Sequence, residues 1–175
     1  MNNTIFYKKI DHNSLAPVKA NETDAGYDIF AHSGPRIVGE KADEFGKHWY
    51  SISYIEYGVG LQFEQLKHDN FYNTNFIKIY PRSSISKYNL VIANSTGIID
   101  YSYNLEVLIR FKYIFQPSDL TIDNGGVFVT VNQDKIYQVG NKIAQMIPSI
   151  VSDTKFVEVD EISKTSRSGF GSSGK

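Results

Sequence analysis

The chain has 175 residues, a formal net charge of −1, 41% hydrophobic residues and no cysteine. That length suits one domain with a sizeable buried core. The near-neutral charge excludes a general basic field for a nucleic-acid polymer, and the missing cysteine excludes disulfides, thiolate metal sites and cysteine nucleophiles. Recognition of an anion must therefore be local, built from a few arginines.

Residues 1–9 lack the apolar core of a signal peptide and no run of 18 apolar residues occurs, so the sequence reads as intracellular, cytoplasmic or nuclear, with no membrane partner. The first informative segment is 24–31, where Gly26 relaxes the backbone beside acids that include Asp28. Ser33, Gly34 and Pro35 signal a turn. Residues 36–49 mix Lys, Asp, Glu and Gly and read as a solvated loop or edge elaboration. Period-two runs of β-branched and aromatic residues then predict strands over 50–55, 76–80, 106–113, 127–131 and 155–159. Turn signals at 116–119 and 123–126 separate them. One short helix is predicted over 83–88, just after Pro81, and no βαβ alternation is present.

Four polar interruptions carry chemistry beyond what strands need. Arg82 followed by Ser83 and Ser84 makes a local anion site; read without context, it is also a helix cap beside a surface arginine. Residues 94–106 place Asp100 and Tyr103 three apart after the apolar pair Ile98 and Ile99. Alone, that pattern fits a turn cap and an ordinary sheet tyrosine. Gln145 interrupts an apolar run, as a buried amide satisfied by backbone also would. The terminal glycine-rich stretch holds Arg167, Phe170, Gly171, Ser172 and Ser173, which suit either a nucleotide-wrapping arm or a frayed tail.

Taken in order with the 24–31 segment, these motifs resemble the five motifs of the trimeric deoxyuridine triphosphatase (dUTPase) family, from about residue 24 to residue 174. The resemblance implies an all-β, distorted jelly-roll domain over 1–162 and a C-terminal arm over 163–175. It further implies a homotrimer with each active site assembled from all three chains, and hydrolysis of dUTP to dUMP and diphosphate with Mg²⁺ bound mainly by the substrate phosphates. By motif position Asp100 resembles the base for the attacking water, and Gln145 the residue that helps hold that water. Arg82, Ser83 and Ser84 resemble phosphate ligands, and Asp28 an acid supporting the phosphate-side network rather than a metal ligand. Asn94, Gly97, Ile98 and Ile99 resemble a β-hairpin that reads uracil, and Tyr103 the wall beneath deoxyribose. Phe170 and Gly171 with Arg167, Ser172 and Ser173 resemble the lid over base and terminal phosphates.

The match departs from the family pattern at Asn104 and Leu105, at Ser84, and in the arm, where Thr165 and Ser166 stand in the places of an Arg-Gly pair and Arg167 is the available substitute. Two other activities share the fold or the site. A dCTP deaminase has a glutamate-centred site and lacks the phenylalanine arm, so Asp100, Tyr103 and Phe170 oppose it. A nucleotide-gated protein-binding switch without catalysis is opposed by the presence of Asp100, Gln145 and Arg82 together.

Overall fold

The computed structural model describes residues 4–65, 75–123, 126–152 and 154–161. The expected arm residues Arg167, Phe170, Gly171, Ser172 and Ser173 lie outside the described residues. The fold is all-β, with twelve strands and only short 3₁₀ turns among the described residues. No described helix is long and apolar enough to cross a membrane.

β4 (Trp49–Gly58) organises one sheet. One of its edges pairs with β3 (Arg36–Lys41), and the other pairs with β9 (Leu108–Tyr113) at one end and β11 (Gly126–Val129) at the other. β7 (Leu90–Ile92) extends it beyond β9, and β10 (Leu120–Asp123) extends it beyond β11. The second sheet runs β2 (Tyr27–Phe30), β12 (Lys142–Ile150), β6 (Asn75–Tyr80), β8 (Gly97–Ile99). β1 (Ile5–Lys9) and β5 (Leu61–Gln65) form a separate pair.

Alternation dictates what these sheets bury. Ile77 and Ile79 of β6 point inward while their neighbours point out, as do Ile109 and Phe111 of β9. They meet Ile29, Ile55, Tyr57, Ile143 and Met146 in one core between the sheets. Phe111 is fully buried, edge-on to Tyr57 with ring centroids 5.8 Å apart. Phe111→Ala is expected to destabilise by about 3–5 kcal/mol, measured by denaturant unfolding. Tyr57 donates its hydroxyl to the Tyr137 carbonyl at 3.0 Å, and burial pushes both phenols up in pKa, that of Tyr137 to about 12.

The 36–49 segment is an edge elaboration: six of its fourteen residues form β3, an outer strand in which Arg36 lies directly across from Glu56 and is ion-paired to it. Arg110 of β9 reaches the same carboxylate from the other side at 2.7 Å. Desolvation raises the Glu56 pKa, but the bonds from Arg36 and Arg110 outweigh it and hold it low. The rest of the segment is a loop tied to Asp43, which accepts from the Lys47 and His48 N–H groups and faces the His48 ring at 2.7 Å. One expectation is corrected: residues 155–159 form no strand. They have no ladder partner among the described residues, and Phe156 stays 98% exposed.

Candidate active site

The sequence-predicted site residues fall into two groups on one sheet. The first gathers on β2, β12 and the exit of β6. Asp28 is buried, and its two oxygens face Arg82 Nε at 2.7 Å and Lys142 Nζ at 2.9 Å. Arg82 Nη1 also approaches Ser84 Oγ at 3.4 Å. Pro81 follows the last residue of β6, and extended backbone at Arg82 leads into a 3₁₀ turn, Ser83–Lys87. That turn keeps Ser83 exposed beside the half-buried Ser84. Gln145 sits between Asp28 and Tyr80 in the ladders and donates its amide to the Pro81 carbonyl at 3.2 Å. Gly26 makes room for it, since a Cβ there would lie 2.9 Å from Gln145 Oε1.

Lys142 was not singled out from the sequence. A lysine at the start of a strand reads as a solvated residue, and only the pairing of Lys142 with Phe30 brings it to Asp28. The Gly-Asn-Lys-Ile-Ala-Gln run that contains Gln145 was the available signal.

The second group surrounds a cavity of ≈ 540 Å³ lined by Asn94, Gly97, Ile98, Ile99 and Tyr103, with Val107 and Ile109 at its apolar side. Ser95 takes a positive φ of 61°, which turns the chain from β7 into β8. Gly97 is buried where a Cβ would lie 3.1 Å from Ile79 Cβ. Asp100 follows β8 directly, and its carbonyl accepts the Tyr103 N–H at 3.0 Å. The expected hairpin is corrected here. β8 pairs with β6, whereas its chain neighbours β7 and β9 pair with each other in the other sheet. The cavity therefore opens where the chain crosses between sheets.

The two groups do not meet within one chain. β8 and β12 flank β6, and β8 runs antiparallel to it with Ile99 opposite Ile77, so Asp100 lies level with Phe76 while Gln145 lies level with Tyr80. Two strand spacings across and four residues along put Asp100 and Gln145 roughly 16 Å apart.

No protein-family model matches the sequence. The chain is 31% identical over 170 residues to the deoxyuridine 5′-triphosphate nucleotidohydrolase of Clostridium acetobutylicum, covering 95% of this chain and 94% of that protein. Its fold is similar to that of the Staphylococcus bacteriophage 80alpha dUTPase solved with dUpNHpp, at a TM-score of 0.68 and 22% identity over 99% of both chains. It is also similar to an Asp-to-Asn mutant of the dUTPase from Staphylococcus aureus phage phi11, solved to show coordination of a structural Mg(II) ion. That match has a TM-score of 0.59 and 22% identity, covering 91% of this chain and 98% of that one.

Proposed function

This chain belongs to the deoxyuridine 5′-triphosphate nucleotidohydrolase family, and from that premise we propose how its residues divide the reaction. The protein is a dUTP diphosphatase: water adds to the α-phosphorus of dUTP, the bond to the bridging oxygen breaks, and dUMP and diphosphate leave. Asp100 takes the proton of the attacking water, and Gln145 holds that water from the side opposite the base. Arg82, with Ser83 and Ser84, receives the phosphate charge, where fixed donors stabilise the transition state without reorganising.

The cavity at Asn94, Gly97, Ile98, Ile99 and Tyr103 is the observation that carries the substrate assignment. Backbone groups along β8, the outer strand of its sheet among the described residues, suit the pairing edge of uracil, and the Asn94 amide adds one more bond. Tyr103 walls the sugar, where a 2′-hydroxyl meets the ring. Phe170 is assigned to the base, and Gly171, Ser172, Ser173 and Arg167 to the terminal phosphates.

Asp28 orients the phosphate side through Arg82 and Lys142. Its oxygens already face two cations, so its role here is to orient those cations rather than to ligate a metal. A Mg²⁺ at this site would take ligands from the substrate phosphates and water. When bound, that ion would supply neutralisation of triphosphate charge beside the cations that Asp28 orients.

The separation of Asp100 from Gln145 supports a homotrimer in which one copy supplies the β8 side and another the Arg82 side. The exposed 155–159 segment, with Phe156 unburied, also suits a chain that completes its packing on a neighbour.

A nucleotide panel read as diphosphate release tests the assignment. dUTP is expected to exceed both UTP and dCTP by at least about 10²-fold in kcat/KM, because sugar and base are read by separate, sterically tight elements. Comparable efficiency on UTP removes Tyr103 from its role, and ammonia release from dCTP replaces the reaction altogether.

A further inference from the structure

Beyond the residues that face substrate, Tyr103 is itself held by something. Its hydroxyl donates to the main-chain carbonyl of Glu106 at 2.9 Å. The Glu106 side chain turns the other way, and its Oε1 accepts the Gly60 N–H at 2.9 Å, in the turn between β4 and β5. That turn is a rigid anchor. Gly60 has φ +71°, and a Cβ on it would lie 2.6 Å from the His32 ring. Gly58 leaves the space the carboxylate uses, since a Cβ there would meet Glu106 Oε1 at 2.4 Å. Ser33 Oγ accepts the Gly58 N–H at 2.8 Å, and the Gly58 carbonyl accepts the His32 N–H at 2.9 Å. Next to Glu106, Val107 exchanges backbone bonds with the same turn, receiving the Val59 N–H and donating to the Leu61 carbonyl, each at 3.0 Å.

We propose that Glu106 is a positioning residue for sugar selectivity: its carboxylate, locked to the Gly60 N–H, fixes the carbonyl that holds the Tyr103 hydroxyl and so the ring that excludes a ribose. The inference rests on the assignment of Tyr103 to the sugar wall. Glu106 touches no substrate. It acts by limiting how far the 100–106 turn, otherwise exposed from Tyr101 to Leu105, can shift when a 2′-hydroxyl pushes on the ring. The side-chain bond matters because Tyr103 is bonded to backbone three residues away, and a local bond of that kind moves with its own turn unless the turn is tied elsewhere.

The test compares kcat/KM for dUTP, UTP and dCTP in the wild-type protein and in Glu106→Ala, Glu106→Gln and Tyr103→Phe, each checked for fold by thermal melting. Glu106→Ala is expected to reduce the preference for dUTP over UTP by about tenfold, the scale of one lost hydrogen bond to a charged group. Its preference for dUTP over dCTP stays unchanged, because uracil is read at 94–99. Glu106→Gln keeps an acceptor for Gly60 and stays within about twofold of wild type. Tyr103→Phe matches Glu106→Ala, and combining the two adds nothing, since both break the same link. Unchanged sugar preference in Glu106→Ala overturns the proposal, as does an equal loss of sugar and base preference. Should Glu106→Ala fail to fold, Tyr103→Phe decides: reduced sugar preference supports the link and unchanged preference overturns it. A wild-type protein that does not prefer dUTP over UTP sinks the sugar-wall assignment and Glu106 with it, whereas a wild-type preference that survives these variants sinks Glu106 alone.

Discussion

Asp100→Asn is expected to keep nucleotide binding and to lose turnover by about 10²–10⁴-fold. The substitution removes the proton acceptor but leaves a side chain of the same shape at the end of β8. The cavity at Asn94, Gly97, Ile98, Ile99 and Tyr103 is formed by other residues, and Arg82 lies at the far end of β6, so the contacts assigned to uracil, sugar and phosphate persist. Calorimetric titration with a non-hydrolysable dUTP analogue, paired with diphosphate release from dUTP, separates the two effects. A Kd within a few-fold of wild type beside the loss of turnover is the expected pair of results. Near-normal turnover removes Asp100 from the role of base; loss of binding makes it a structural part of the cavity instead.

Which parts of this site were legible in the sequence follows from the range of the interactions involved. The site residues were legible through motif order, since each segment alone also fits a cap or a sheet tyrosine. The structure places Asp100 and Tyr103 in one tight turn closed by their own backbone, and Arg82, Ser83 and Ser84 after the proline that follows β6. The strand runs around Ile55, Ile77, Ile109 and Val129 were legible because each faces a core and alternates accordingly. β3 was hidden by its own irregularity: the register shifts between Val38 and Gly39, where a Cβ on the glycine would lie 2.0 Å from the Ser51 carbonyl, and such a bulge interrupts the period of two. Lys142 and Glu106 were hidden for another reason. Each acts on a residue far away in the chain, Asp28 and Gly60 respectively, and those contacts exist only once the ladders have fixed the register. Residues 155–159 show the opposite case, a strand pattern that is unpaired among the described residues.

Mixing two inactive variants is expected to restore activity that neither has alone. Asp100→Asn retains Arg82, and Arg82→Ala retains Asp100. If one site draws Asp100 from one copy and Arg82 with Gln145 from another, co-refolded equal amounts form intact sites wherever an Arg82→Ala chain meets an Asp100→Asn chain in the right order. Random assembly makes that about one quarter of all sites, whatever the number of copies in the closed ring. The alternative, a site within one chain, yields none. The within-chain separation motivates the experiment: Asp100 and Gln145 lie roughly 16 Å apart across the β8, β6, β12 ladder, farther than two side chains bonded to one water. Arg82→Ala leaves Asp28 its contact with Lys142 and removes no core side chain, so the fold is expected to survive, as a thermal melt of each parent checks. The mixture is compared with each parent refolded by itself. Turnover near one quarter of wild type supports a site shared between copies, and turnover no higher than the mean of the two parents places Asp100 and Arg82 in the same site of a single chain or removes one of them from the reaction.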